Sequence, residues 1–172
     1  SNPFLWVDEP GLEMIFMAFT GYSSDKAAAD YRAFLESFPG PKGVHLCGNP
    51  DWSFLLNLEL NILSIDVLAR GHIFTRYRDE IKDFLDRGGI ISWGITPTLT
   101  DEFEKEDLSS MIRMIDELWG YLGQGGIPRK QLLEQAWFAP ARCCLINTDG
   151  GATVERSFQL LRETGQHFQK QL

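Results

Sequence analysis

Three side chains in this sequence carry the chemistry of a metal centre. His45 and Cys47 stand two apart in the apolar run Gly43-Val44-His45-Leu46-Cys47, which Gly48-Asn49-Pro50 ends at once. Alternate residues of a strand share a face, so His45 and Cys47 point one way while Val44 and Leu46 point the other. Imidazole nitrogen and thiolate sulfur both bind zinc, and the pair lies at the strand tip. A lone His-x-Cys also suits simple packing, so a metal reading requires further ligands. Cys143, followed directly by Cys144, supplies them: one His and two Cys are a three-ligand set with which a catalytic zinc keeps one position open.

Carboxylates stand at comparable places. Asp8 and Glu9 close the first strand, and Asp66 interrupts the apolar stretch Ile62-Leu63-Ser64-Ile65-Asp66-Val67. Each has a structural reading as well. Asp8 and Glu9 can cap the following helix, Asp66 can bond a neighbouring backbone amide, and Cys143 and Cys144 can serve as small core residues. His72 reads as a solvated helix-start residue and His167 as a polar-face residue of the last helix.

The elements that must position these groups follow from apolar periodicity. Phe4–Val7 is a strand, and Met14 to Met17 a buried helical turn. Ser24-Asp25 caps a helix carrying Ala28, Tyr31, Phe34, Leu35 and Phe38, stopped by Pro39-Gly40-Pro41. The His45/Cys47 strand comes next, then a helix Trp52–Leu60 capped by Asp51, and the strand Ile62–Val67. Thr75–Arg87 is amphipathic and stops at Gly88-Gly89. Ile90–Ile95 is the fourth strand. Leu108, Met111, Ile112, Ile115, Leu118, Trp119 and Leu122 form the longest helical stripe and read as core. Gly120 to Gly126 is rich in glycine, but it follows no strand and lacks the order of a phosphate loop. Pro128 opens a short helix to Trp137, Cys143–Ile146 is the fifth strand, and Thr153–Lys170 a closing helix.

Strand and helix thus alternate five times with short connections, which predicts a parallel α/β sheet. Ligands in such sheets bind at the carboxyl ends of the strands, so Asp8, Glu9, His45, Cys47, Asp66, Trp93 and Cys143 are expected on one rim. Asp66 and Trp93 are the catalytic candidates among them.

The 172 residues, 44% hydrophobic and 12% aromatic, suit a single domain over 1–172 with a substantial core. A net charge of -8 without any Lys/Arg run argues against nucleic acid or anionic lipid as partner. No apolar run is long enough to span a bilayer. Three cysteines without a disulfide framework fit a reducing cytoplasm. Ser1-Asn2 reads as a cloning or cleavage scar.

At these residues the sequence resembles a family. His45-Leu46-Cys47-Gly48-Asn49, Val7-Asp8-Glu9-Pro10, Leu63-Ser64-Ile65-Asp66, Trp93 to Thr98 and Cys143-x-Leu145 look like the C-terminal catalytic barrel of cobalamin-independent methionine synthase. They are also similar to methylcobamide:coenzyme M methyltransferases and uroporphyrinogen decarboxylase-like proteins. The resemblance covers nearly the whole chain. It implies zinc held by His45, Cys47 and Cys143, with Cys143 preferred to Cys144 because it stands two before Leu145. It implies that the metal activates a homocysteine-like thiol for methyl transfer, and that Asp8 or Glu9 holds the substrate amine. The synthases add a glutamate ligand where this chain has the shorter Asp66. By this resemblance the chain is expected to lack the folate-binding N-terminal half of the full synthases.

The family barrel has eight strands, and these five match its fourth to eighth. An open remnant exposes an edge and apolar faces, so a homodimer, or a partner supplying the missing strands, is expected, with the first strand or the Met14 to Phe19 segment in the interface. A truncated, non-catalytic binding or assembly subunit is the alternative.

Overall fold

The computed structural model describes residues 3–15, 21, 23–143, 147–149 and 151–172. Five strands form one sheet: β1 (Leu5–Asp8), β2 (Lys42–Leu46), β3 (Ile62–Asp66), β4 (Ile90–Thr96) and β5 (Ala136–Pro140). They lie in sequence order and every neighbouring pair is parallel. The sheet is not closed, and the architecture is that of part of a (β/α)8-type barrel. Right-handed crossovers between successive parallel strands place all intervening helices on one face.

Those helices are α1 (Leu12–Ile15), α2 (Ser24–Glu36), α3 (Trp52–Leu56), α4 (Val67–Phe74), α5 (Arg78–Asp86), α6 (Leu108–Gln124), α7 (Arg129–Glu134) and α8 (Ala152–Gln169), with a 3-10 turn at Thr100–Glu104. No described helix is long and apolar enough to cross a membrane.

Register sorts the strand residues onto two faces. One face carries the rows Val7–Val44–Leu63–Ile91–Ala136 and Leu46–Ile65–Trp93–Phe138. Its central residues are fully buried under the helices, where Trp52, Phe74, Trp93, Trp119 and Phe168 form a chain of ring contacts with centroids 5.2–6.1 Å apart. Burying so many indole and phenyl rings supplies a large share of the stabilisation. The other face carries the row Asp8–His45–Ser64–Ser92–Trp137. Among the described residues no helix covers its Phe4, Trp6 and Trp137, which stay 49%, 37% and 45% exposed, while Ser64 and Ser92 between them are buried. Trp6 lies flat over Gly43, where a Cβ would come within 2.6 Å of the indole.

Several elements differ from sequence expectation. The fifth strand is Ala136–Pro140 and not Cys143–Ile146. Residues 136–139 alternate between the faces with period two, so α7 stops at Glu134 instead of running to Trp137, and Cys143 falls in the loop beyond the strand. Residues 144–146 lie outside the described residues. A helix went unread at Val67–Phe74, because Asp66 ends the strand and caps α4 through Ala69 N. His72 is accordingly in the last turn of that helix, not at a helix start. The second helix is capped by Ser23, one residue earlier than expected, and the Asp51-capped helix stops at Leu56. Met14 is 59% exposed and not buried; 16–20 lie outside the described residues.

Candidate functional site

Asp8, Glu9, His45, Cys47 and Cys143 line one cleft of about 490 Å³ at the carboxyl ends of the strands, together with Trp6, Pro10, Ser64, Ala139, Pro140 and Arg142. Residues from β1 and from the end of β5 share it, so the sheet curves around the cleft. Cys47 is the first residue after β2, and the turn that follows is fixed by Trp52 Nε1 donating to Asn49 Oδ1 at 3.0 Å and by Asp51 capping α3.

His45 Nδ1 is 3.0 Å from Ser64 Oγ on the neighbouring strand, and His45 Nε2 is 3.3 Å from Cys47 Sγ. With the Ser64 oxygen accepting the Nδ1 proton, the Nε2 lone pair faces Cys47. Burial lowers the His45 pKa from its ordinary value, with the Asp8 and Asp66 charges pulling the other way. The imidazole is therefore neutral at pH 7, the form that binds metal. Burial and then the Asp66 charge raise the Cys47 thiol pKa, opposed by the backbone N–H that Cys143 donates to it. The Arg142 charge also opposes the rise, as the smallest of the causes, and the net shift keeps Cys47 a thiol.

The carboxylates divide. Glu9 accepts from Gly11 N at 2.9 Å and from the Tyr31 hydroxyl at 2.7 Å, one donor on each oxygen. Asp8 takes the Trp6 indole N–H at 3.3 Å on Oδ1. Asp66, 2% exposed, places Oδ1 on Ala69 N at 3.0 Å and Oδ2 3.2 Å from Arg142 Nε. Burial raises its pKa, partly offset by the Ala69 N–H and the Arg142 charge. Arg142 Nη2 also reaches Glu102 Oε1 at 2.7 Å.

Trp93 does not join the site. It lies wholly buried on the helix-covered face, edge-on to Phe74 and Trp119. One position along a strand reverses the face, and Trp93 sits between Ser92 and Gly94, which face the open side. Its expected catalytic place is corrected to the core.

A tetrahedral zinc with Zn–N of about 2.0–2.1 Å and Zn–S of about 2.3 Å holds those two ligand atoms roughly 3.6 Å apart. The 3.3 Å between His45 Nε2 and Cys47 Sγ fits this after a small outward shift. Among the described residues, no three His, Cys, Asp or Glu side chains are already gathered closely enough to hold an ion. The protein thus presents a two-donor half-site, with the free and exposed Cys143 on the adjoining loop.

Sequence reasoning missed Ser64, Arg142 and Glu102. Ser64 could have been found, because it shares a face with Asp66 and faces the residue matching His45. Arg142 could also have been weighed, as the one cation between Lys130 and Arg156 and the residue directly before Cys143. Glu102 sat in an acidic run that gave no pairing signal. Compared with protein-family models and with curated protein sequences, the chain matches none.

Proposed function

We propose that this chain is the catalytic part of a zinc-dependent methyltransferase of the cobalamin-independent methionine synthase type, acting on a small thiol. The observation that carries the reading is that His45, Cys47 and Cys143, far apart in sequence, border one cleft with Asp8 on its wall. Zinc bound there would hold a substrate thiol as thiolate, the nucleophilic form of a group whose free pKa is about 8.5.

The protein's own residues do the rest. Ser64 orients the His45 ring and fixes its tautomer, as outer partners of metal-binding histidines do. Asp8 attracts a cationic amine on the substrate, while Glu9 is held by Gly11 and Tyr31 and shapes the wall. Trp6 supplies an apolar wall on one side of the cleft. Asp66 is tied to Arg142 and Ala69, which leaves three ligands and an open position for the thiol.

Elemental analysis of the purified chain tests the reading. One zinc per chain is expected, lost in Cys47→Ser, with homocysteine-like thiols perturbing the spectrum of a cobalt-substituted sample. Absence of stoichiometric metal together with an unchanged content in Cys47→Ser would sink it. Methylated folate and methylcobamide, offered in turn to the zinc form, identify the donor.

The uncovered sheet face favours a second reading, that of a binding or assembly subunit. Phe4, Trp6 and Trp137 face solvent on it, and β1 and β5 each pair on one side only among the described residues. Parallel sheets are normally buried on both faces. A homodimer, or a partner completing the barrel, would cover this surface. Light scattering at micromolar concentration that returns a folded monomer, with methyl transfer intact, would reject this reading.

A further inference from the structure

The loop that carries Cys143 is clamped on both sides to elements of other strands. Before the cysteine, Arg142 forks between two carboxylates, Nε toward Asp66 at the tip of β3 and Nη2 toward Glu102 in the 3-10 turn after β4. Glu102 is itself fixed, its second oxygen accepting from Thr98 N at 3.2 Å and Leu99 N at 3.3 Å. After the cysteine, Asn147 donates to Thr98 O at 2.7 Å and accepts from Thr100 Oγ1 at 3.3 Å. Cys143 is the residue next to this fork, and its N–H reaches Cys47.

We infer that Arg142 is a positioning residue that holds Cys143 beside the His45–Cys47 pair, and that Asp66 is its anchor rather than a fourth metal ligand. Both oxygens of Asp66 have protein partners, one on the α4 amide and one on the guanidinium. Ligation by Asp66 would pull this buried carboxylate away from its half-buried cation, which costs more than breaking a fully exposed pair does. A planar guanidinium suits the task because its Nη2 hydrogen-bonds Glu102 from a fixed direction while its charge stays in ion-pair contact with Asp66 through Nε, without a hydrogen bond there.

The test begins with metal-free protein carrying Cys144→Ser, so that Cys47 and Cys143 are the only thiols. Diamide takes two electrons and two protons from this pair and leaves a disulfide, whose rate reports how often the sulfurs meet. Arg142→Ala is expected to slow cross-linking about tenfold, with Arg142→Lys intermediate and Glu102→Gln slowed less. Labelling of Cys47 by a monofunctional reagent should slow far less, since the lost Arg142 charge is only the smallest of the causes acting on that thiol, and general loosening would not give this split. Equal cross-linking rates in the parent and in Arg142→Ala, or no cross-link in the parent, overturn the inference. Thermal melts monitor folding, and Glu102→Gln, which keeps the Asp66–Arg142 pair, decides the matter if Arg142→Ala unfolds.

A second arm rests on the proposed zinc centre. Cobalt added to the parent should give thiolate-to-metal absorption with the intensity of two sulfurs, falling to that of one in Arg142→Ala. Parent protein that binds no cobalt counts against the zinc reading alone, because the cross-linking result stands without metal. Loss of metal in Asp66→Asn with Cys47–Cys143 cross-linking unchanged would instead make Asp66 a ligand and overturn its role as anchor.

Discussion

The two faces of one sheet are built from the same five strands by opposite rules. On the helix-covered face the central positions Leu63, Ile65, Ile91 and Trp93 are large apolar residues, all fully buried. On the open face the matching positions are Asp8, His45, Ser64 and Ser92, small or polar groups between two exposed tryptophans. Since side chains alternate with period two, stability and chemistry are encoded in alternate letters of the same strand. The comparison teaches that neighbours in sequence, such as Ser92 and Trp93, can belong to wholly different parts of the energetics.

The largest break of that contrast is on the covered face. Trp93→Ala removes a buried indole that touches both Phe74 and Trp119, and should cost about 4 kcal/mol of stability. Urea denaturation measures it. Metal content per folded molecule should stay at the parent level, whereas a selective loss of metal without loss of stability would return Trp93 to the site.

What was legible in the sequence follows the same division. The first four parallel strands were readable because buried strands form apolar runs bounded by glycine and proline, and the places of Asp8, Glu9, His45 and Cys47 followed from strand ends. The placement of Trp93 failed because only its nearness to a strand end was weighed: Ile91, Trp93 and Ile95 alternate with Ser92 and Gly94, and that period assigns Trp93 to the core set. β5 was misread because Pro128 suggested a helix continuing through Trp137, and period two is hard to see in the four residues 136–139. Asp66 was legible as unusual, but its tie to Arg142 spans 76 positions of sequence and has no local trace.

On the open face the largest expected effect is Cys47→Ser. Loss of a donor should weaken zinc binding by more than the tenfold to hundredfold typical of changes in outer partners, read by competition with a chromophoric chelator. Stability without metal should hardly move, since Cys47 is exposed. Ser64→Ala comes next. It removes the partner of His45 Nδ1 and frees the ring to rotate, for an expected loss of roughly tenfold in affinity, equivalent to about 1.4 kcal/mol. Ser64→Thr keeps the hydroxyl and should recover part of this. A Ser64→Ala protein with full affinity would show that ring orientation is set elsewhere.

The smallest effect sharpens the comparison through pH, because only the open face carries a titrating group that burial opposes. The folded-state pKa of His45 is lowered, so between that lowered value and the unfolded value of about 6.5 the unfolded chain binds more protons than the native one. Stability of the metal-free protein therefore rises with pH across this window and is lost as pH falls through it. Asp66 acts in the opposite sense at lower pH: its raised pKa lets the native state keep a proton longer, so its contribution declines as pH rises from about 3.8 through the raised value. Urea midpoints near pH 7.5 and pH 5.5 should differ in the parent and differ less in His45→Gln. Zinc affinity follows its own rule in the same pH range. Cys47 must release its proton to bind metal whereas neutral His45 has none to release, so above pH 7 affinity should climb with pH and His45→Gln should leave that slope unchanged. An equal stability difference in parent and His45→Gln would show that another group carries the dependence, and would remove the His45 ring from the account of why this face is ready for metal at neutral pH.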